Sequence, residues 1–135
     1  MPLRHPHRLR LCELPQWAPD SSFGFTMHTE KGKSGQFIGK VDNNSPAELG
    51  GLREGDRIIE VDHVNVETSK HDEVAAKIKS STGPRVTFLV IDAEADDFFK
   101  NQNIKLSGDM PFVDVLSCPE NPSPLTARSG NILIN

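Results

Sequence analysis

The sequence predicts an α+β domain built on a mostly antiparallel sheet or partly open barrel of five to six strands, with two helices. Three observations support this fold class. Short segments of alternating apolar and polar residues recur along the first 91 residues, turn residues separate them, and only two segments have a helical pattern. Because a helix does not follow every strand, the order differs from the regular alternation that produces a parallel sheet.

The first three strands are predicted at residues 9–14, 22–29 and 36–41, with polar connections rich in glycine or proline between them. In the second strand the apolar residues fall on alternate positions, so one face is expected to be buried. Gly24 lies between two phenylalanines of that strand. It indicates either a bulge at a sheet edge or a turn that directs successive N–H groups into an anion-binding concavity, and this segment alone favours the bulge.

Two helices and three further strands follow. A Ser-Pro dipeptide provides an N-cap and a first helical residue, so a short helix is predicted over 46–49. The longer helix covers 70–81, and Ser69 with Asp72 resembles a capping box at its start. The remaining predicted strands are 56–61, 64–66 and 85–91.

The chain divides into four segments by composition. The strands and helices occupy a domain at residues 9–92, behind a flexible leader at 1–8. An acidic helical extension is predicted at 93–102, and its two phenylalanines can pack back on the domain. Residues 103–135 have no sustained period and become rich in Ser, Pro, Asn and Thr, which predicts a linker or disordered tail.

The composition limits the possible functions. The 135 residues carry a formal net charge of −4, which argues against a general nucleic-acid binder. No apolar run approaches the roughly 18–20 residues needed to span a bilayer, and the basic N-terminus lacks the apolar region of a secretory signal. Cys12 and Cys118 are far apart in sequence. Two isolated cysteines indicate free thiols in a reducing compartment, so a cytosolic protein is expected.

The motifs do not support catalytic or metal-binding chemistry. His5 and His7 have no carboxylate or cysteine at ligand spacing. No nucleophile elbow accompanies any Ser-His-Asp combination. The segment Gly32-Lys33-Ser34 lacks the upstream glycine and the following helix of a phosphate loop. The sequence therefore predicts that the chain is not an enzyme and uses no metal and no cofactor.

His71 opens the longer predicted helix and shares one helical face with Ala75 and Ile78. An exposed polar residue is the default interpretation of a histidine in this position. A ring nitrogen at the rim of an apolar groove could instead hydrogen-bond a ligand hydroxyl, and the small Ala75 would keep that groove open. The helix and the strand at 22–29 would then form a cleft beside an exposed strand edge, which is the geometry for β-augmentation by an extended peptide.

Over about residues 9–102 the sequence resembles the PDZ domain family, and more narrowly the sodium/proton exchanger regulatory factors, which are scaffolds beneath apical membranes. Ser22-Phe23-Gly24-Phe25 is similar to the carboxylate-binding loop of the family, whose pattern is X-Φ-G-Φ. The other matching segments follow in the family's order: Ser45-Pro46-Ala47-Glu48, Gly51-Leu52, Gly55-Asp56-Arg57-Ile58 and His71. The narrower resemblance depends on Leu11-Cys12, Glu30-Lys31-Gly32-Lys33 and the acidic run at 92–97. The resemblance implies a PDZ-like, partly open antiparallel barrel or sandwich.

The resemblance also implies how a ligand would be held. The backbone N–H groups of Phe23, Gly24 and Phe25 would bind the terminal carboxylate of a partner protein. His71 would bond a Ser or Thr two residues before the ligand end, which gives class I recognition of X-[Ser/Thr]-X-Φ. Thr26 and His28 would provide the backbone ladder. The hydrophobic pocket for the last side chain would be formed by Phe23, Phe25, Met27, Ala75 and Ile78.

The sequence departs from its relatives at positions that flank this groove. Relatives that bind an acidic residue three before the ligand end use an arginine where Gly39 stands, and Lys79 or Lys40 are candidates to compensate. Asp42 matches an acidic position that can pair with a basic penultimate residue. Ala75 stands where relatives often carry valine, which should enlarge the terminal pocket.

The partners implied by the resemblance are the C-terminal tails of membrane transporters, channels or receptors, at the inner face of the apical plasma membrane. No nucleic acid is expected, membrane association would occur through the partners, and further domains of the same scaffold are compatible with the resemblance. Two alternatives remain open. One is a regulatory PDZ domain of a larger enzyme such as a protease, and the other is a weak binder of phospholipids or internal peptide motifs.

Overall fold

The computed structural model describes residues 7–16, 22–81 and 85–119. Most of the predicted leader, residues 1–6, and the last part of the predicted tail, residues 120–135, lie outside the described residues. The fold is α+β, as the sequence predicts, with one mixed open sheet and three helices in the described residues.

Seven strands form the sheet. They are β1 (Leu9–Pro15), β2 (Phe25–His28), β3 (Gln36–Val41), β4 (Arg57–Val61), β5 (Val64–Asn65), β6 (Arg85–Ile91) and β7 (Val113–Ser117). Their order is β2-β3-β4-β6-β1-β7, and β5 pairs with β4. The β1–β7 pair is parallel and the other pairs are antiparallel. β2 and β7 are the outer strands, so each has one edge without a strand partner among the described residues.

The helices are α1 (Pro46–Leu49), α2 (His71–Lys79) and α3 (Ala93–Asn101). α1 begins as predicted, because the Ser45 hydroxyl accepts a hydrogen bond from the Glu48 N–H. The start of α2 differs by one residue from the predicted capping box. Lys70 is the N-cap, and its N–H donates to the Glu73 carboxylate at 2.7 Å. Glu73, rather than Asp72, stands three residues after this N-cap, and its longer side chain spans the first turn.

A buried core lies on each face of the sheet. The first core lies between the sheet and helices α1 and α2 and contains Val74 and Phe88. The second core lies under α3 and contains Leu89 and Phe99. Neighbouring residues of β6 therefore enter different cores, as the alternation of side chains along a strand requires.

The C-terminal part agrees with the prediction in one respect and differs in another. The acidic extension forms α3, and Phe98 and Phe99 pack on the second core as expected. β7 lies in the segment predicted to be a linker or disordered, and it raises the strand count to seven. Its partner is β1, at the other end of the described chain. A pairing so distant in sequence leaves no local signal that a search for short periods could detect.

Candidate functional site

The loop before β2 is held through its two carbonyl groups. The Ala47 N–H donates to the Phe23 carbonyl at 2.9 Å, and the Asp42 N–H donates to the Gly24 carbonyl at 2.7 Å. In a trans peptide unit the N–H points opposite to the carbonyl. Since both carbonyls face α1 and the end of β3, the N–H groups of Gly24 and Phe25 point the other way, toward the open side of the loop.

Gly24 is required at this turn by its backbone angle and by its neighbour. Its φ is +91°, in the left-handed region, and a Cβ there would lie 2.2 Å from the Cβ of Ser45. Ser45 is fixed in turn, since its hydroxyl donates to the Asp42 carbonyl at 2.8 Å and caps α1. Of the two interpretations of Gly24, the structure shows the turn, and the irregular register lies further along, between Phe25 and Met27.

Ser22 shows which kind of atom the loop accommodates. Its hydroxyl oxygen accepts a hydrogen bond from the Gly24 N–H at 3.1 Å. A carboxylate oxygen in this place would form a stronger hydrogen bond because it carries charge. Two successive N–H groups directed to one side, those of Gly24 and Phe25, are a backbone arrangement that is able to bind an anion.

The outer edge of β2 presents the backbone groups of Phe25 and Met27. Phe25 stands opposite Val41, and the hydrogen bond to the Gly24 carbonyl beside them makes this a non-hydrogen-bonded pair of the β2–β3 ladder. The N–H and C=O of Phe25 therefore point away from β3. The Met27 carbonyl lies at the same outer edge, because the Nε2 of His71 on α2 is 3.2 Å from it.

Thr26 and His28 have a different place from the one the resemblance implies. Their backbone groups face β3, so the ladder available to a ligand consists of the two residues that alternate with them. Their side chains are exposed on the outer face of the sheet. There they cover Gly39, where a Cβ would lie 2.5 Å from the Thr26 Oγ1 and 3.2 Å from the His28 Nδ1. Phe25 and Met27 are two residues apart in β2, whereas their partners Val41 and Ile38 are three residues apart in β3, so the extra residue of the irregular register lies in β3.

The five predicted pocket residues lie along the groove-facing side of β2 and on α2. All are partly buried, and four of them pack against the first core. They are Phe23, Phe25, Met27, Ala75 and Ile78. The sequence did not identify the floor of this region, which is the fully buried Phe88 of β6. Its ring meets those of Phe23 and Phe25 edge to face, with centroids 6.2 Å and 5.5 Å apart.

His71 stands across the groove from β2. Its side chain is 49% exposed, and its Nδ1 is 3.8 Å from the Asp72 carboxylate. With a proton on Nε2 the ring donates to the Met27 carbonyl. The imidazole therefore hydrogen-bonds the carbonyl oxygen that an added strand would use. The backbone of a ligand must displace the imidazole to form its own hydrogen bond there.

The flanking residues are separated from one another. Asp42 is exposed directly beside the loop, where its own N–H holds the Gly24 carbonyl. Lys40 is exposed, and its N–H donates to the Thr26 hydroxyl at 2.8 Å. Lys79 is at the far end of α2, about 12 Å along the helix axis from His71. The structure thus does not place Lys79 beside the histidine.

The described part of the chain presents no metal cluster and no membrane-spanning helix. Within residues 7–16, 22–81 and 85–119, no group of three or more His, Cys, Asp or Glu side chains could hold a metal ion. No helix of those ranges is long and apolar enough to cross a membrane. Burial raises the pKa of the Cys12 thiol to about 12, so this sulfur stays protonated at neutral pH.

An outer strand whose free edge has no strand partner among the described residues, a helix beside it and a loop that directs two N–H groups to its open side define the class of modules that can take up an extended peptide as an additional strand. Residues 14–91 match the family model of the PDZ domain, and the chain belongs to the PDZ domain family. This confirms the resemblance seen in the sequence.

The chain is also similar to Na+/H+ exchange regulatory cofactors. It is 39% identical over 133 residues to NHE-RF2 of Oryctolagus cuniculus, covering 94% of this chain and 40% of the relative. It is 38% identical over 127 residues to NHE-RF2 of Mus musculus, covering 93% and 37%. NHE-RF1 of Gallus gallus is 39% identical over 109 residues, covering 77% and 32%. The chain thus spans about two fifths or less of the length of these relatives.

Proposed function

We propose that the chain is a non-catalytic scaffold or adaptor module that binds C-terminal peptides of the class I pattern X-[Ser/Thr]-X-Φ-COOH by β-strand addition. The observation that carries the proposal is the continuity of the loop N–H groups with the outer edge of β2. A chain end whose carboxylate meets the N–H groups of Gly24 and Phe25 is in position to continue past Met27 as an additional strand.

The aromatic side of this edge accounts for a hydrophobic last residue. Its side chain would lie among Phe23, Phe25 and Ile78, above Phe88. Burying a side chain the size of leucine contributes roughly 1.5–3 kcal/mol. A short peptide loses conformational freedom when it is ordered, so we expect micromolar affinity, about −8 kcal/mol.

The side chains around the groove supply the selectivity. His71 would release the Met27 carbonyl to the ligand backbone and bond a Ser or Thr hydroxyl two residues before the end. Asp42 beside the loop would favour a basic penultimate residue. Because Gly39 provides no cation and Lys79 is distant, we expect little preference for an acidic residue three before the end.

The partners are inferred from the relatives. Proteins named as regulatory cofactors of Na+/H+ exchange act on a membrane transport process by name, which supports the tails of membrane transporters, channels or receptors as partners of this chain. Such tails are in the cytoplasm, so we place the module there, at the inner face of the apical plasma membrane and attached through its partners. The net charge of −4 favours neither nucleic acid nor anionic lipid as a ligand.

The test is a pair of peptides that end in Thr-Arg-Leu and differ only in a free or an amidated C-terminus. Isothermal titration should give a micromolar dissociation constant for the free acid and no measurable binding for the amide, because the amide has no charge for the loop to bind. Equal binding of both peptides would refute carboxylate recognition. Binding to anionic phospholipid vesicles in place of the free-acid peptide would favour the lipid alternative.

A further inference from the structure

A buried arginine joins three segments around the end of the groove that lies away from the carboxylate loop. Arg57 of β4 is only 4% exposed. Its Nε donates to the Ser34 carbonyl at 3.1 Å, and its Nη2 donates to the Ser34 hydroxyl at 3.2 Å. Its Nη1 reaches the carboxylates of Glu67 at 3.2 Å and Asp96 at 3.5 Å. We call this set of contacts the Arg57 bridge.

The Arg57 bridge fixes the spacing of the two groove walls at this end. β2 leads into the connection that carries Ser34, and Glu67 lies shortly before α2. The two segments are in close contact, because a Cβ on Gly35 would lie 2.9 Å from the Glu67 carbonyl. Since β2 and α2 form the walls, a change in this link changes the width of the groove.

Carboxylates outnumber guanidinium groups at the bridge. One guanidinium serves the carboxylates of Glu67 and Asp96, and Lys100 pairs with Asp96 at 3.3 Å. The other oxygen of Glu67 accepts a hydrogen bond from the Asn65 side-chain amide at 2.8 Å. A further anion at the bridge must therefore compete with Glu67 for Arg57.

Ser34 is accessible although it contacts a buried arginine. The residue is exposed in the connection between β2 and β3 and precedes a glycine. Lys31 and Lys33 stand three and one residues before it. Kinases read the charge pattern around the acceptor hydroxyl, and two lysines just before a serine suit a kinase with an acidic substrate cleft.

We propose that Ser34 is a phosphorylation site, and that its phosphate takes the Arg57 guanidinium from Glu67 and loosens the peptide groove. In the transfer, the Ser34 Oγ forms a bond to the γ-phosphorus of ATP as the bond from that phosphorus to the β,γ-bridging oxygen breaks. ADP leaves with the electron pair, and the hydroxyl proton passes to a carboxylate base of the kinase.

The consequence follows from charge and geometry. A phosphoserine carries about −1.5 to −2 charges at neutral pH and binds arginine strongly. Its phosphate would lie within reach of the Arg57 Nη2 and would repel the Glu67 carboxylate. The segment before α2 then loses its side-chain anchor to Arg57 and keeps the weaker hydrogen bond from the Arg57 Nη2 to the Glu67 carbonyl, at 3.4 Å. The effect on peptide affinity rests on the proposed function, whereas the effect on stability does not.

The first experiment tests the site itself. The full chain is incubated with ATP and a kinase that prefers basic residues before the acceptor, and the product is analysed by mass spectrometry. We expect one phosphate, on Ser34, and none in the Ser34→Ala variant. The Lys33→Ala variant should react more slowly. Absence of phosphate on Ser34, or phosphate only at other residues, would overturn the proposal.

The second experiment tests the consequence. The phosphorylated chain should melt at a lower temperature and bind the free-acid peptide about fivefold to tenfold more weakly than the unmodified chain. In the Glu67→Gln variant, which keeps a hydrogen-bonding side chain but removes the repelled charge, phosphorylation should change affinity less than twofold. Unchanged melting and unchanged affinity would overturn the proposed release of Glu67. If the unmodified chain binds no peptide, the proposed function fails. The melting temperatures of the phosphorylated and unmodified chains still test whether the phosphate displaces Glu67 from Arg57.

Discussion

At the scale of single residues, His71 has two competing partners. In the structure its Nε2 lies 3.2 Å from the Met27 carbonyl. In the proposed complex the same nitrogen bonds a ligand hydroxyl and the carbonyl accepts a ligand N–H. Removing the imidazole therefore weakens binding, because the contact with the ligand hydroxyl is lost. It also favours binding, because the ligand no longer has to displace the ring from the Met27 carbonyl. The net change in affinity must depend on the ligand residue two before the end.

His71→Ala should weaken a peptide ending in Thr-Arg-Leu about tenfold, near 1.4 kcal/mol, and should leave a peptide ending in Ala-Arg-Leu unchanged or bound up to about threefold more tightly. Isothermal titration of both peptides with both proteins gives the coupling energy directly. His28→Ala is the matched control, because His28 is exposed on the outer face and should not alter the ratio of the two affinities. An equal loss for both peptides with His71→Ala would show that the histidine does not read the hydroxyl.

Residue type allowed prediction of some site residues and not of others. Gly24 and His71 could be recognised because few other residues satisfy a left-handed turn or offer a ring nitrogen at a helix start. The assignment of the ladder to Phe25 and Met27 rather than to Thr26 and His28 could not be predicted, because it depends on which residues of β2 face β3, and the residues of β2 alone do not determine that. Phe88 was missed as the pocket floor because it comes from a strand distant in sequence.

At the scale of elements, the hairpin between β4 and β5 carries local strain. Val61 pairs with Val64, so the loop has two residues, Asp62 and His63, with φ of +49° and +67°. Both angles are left-handed, as in the turn that strongly prefers Asn-Gly or Asp-Gly. Asp62 is held there, because its carboxylate accepts hydrogen bonds from the Thr87 N–H at 3.0 Å and from the Thr87 hydroxyl at 3.4 Å.

His63→Gly should stabilise the domain by about 0.5–1 kcal/mol, since glycine adopts this backbone angle without steric cost. Thermal unfolding should show a melting temperature higher by about 2–5 °C. Asp62→Gly is the contrasting variant. It also relieves the strain of a left-handed backbone angle, but it removes both hydrogen bonds with Thr87, so it should destabilise the domain. A stabilisation of similar size in both variants would mean that the hydrogen bonds of Asp62 contribute nothing.

The sequence predicted the elements whose own residues carry a strong secondary-structure pattern. It did not predict the strand that forms only by pairing with a strand distant in sequence. α1 was indicated by its Ser-Pro start, and α3 by an acidic first turn followed by two phenylalanines. β7 has a short and only partly apolar sequence, and its outermost residues remain exposed, with Val115 at 63%. It exists because β1 offers an unpaired edge, which no inspection of residues 113–117 alone could reveal.

At the scale of the whole molecule, a buried ion pair ties the first strand to the middle of the chain. Arg10 of β1 donates to the Asp56 carboxylate and to the Gly51 carbonyl, and both charged residues are below 10% exposure. The Arg53 N–H also donates to Asp56, at 2.8 Å. Burial raises the pKa of the Asp56 carboxyl, while the Arg10 charge opposes that rise.

Arg10→Met should therefore destabilise the domain in a pH-dependent way. Without its counter-ion the buried carboxyl has a pKa raised further above the value of about 4 that it has in the unfolded chain. The folded state then keeps a proton that the unfolded state releases, so stability present below about pH 4 is lost as the pH rises through the folded pKa. Near pH 7 we expect a loss of about 3–5 kcal/mol, and a clearly smaller one at pH 4, measured by urea unfolding.

Two further variants separate the buried charge from the lost packing. Adding Asp56→Asn to Arg10→Met keeps an oxygen acceptor for the Arg53 N–H but removes the charge, so it should recover much of the stability at pH 7 and flatten its pH dependence. Arg8→Met breaks a pair with Asp114, at 2.9 Å, whose side chains are 22% and 30% exposed; it should cost less than about 1 kcal/mol. If Arg10→Met lost the same stability at pH 4 and pH 7, the packing of the arginine stem rather than the unpaired carboxylate would account for the loss.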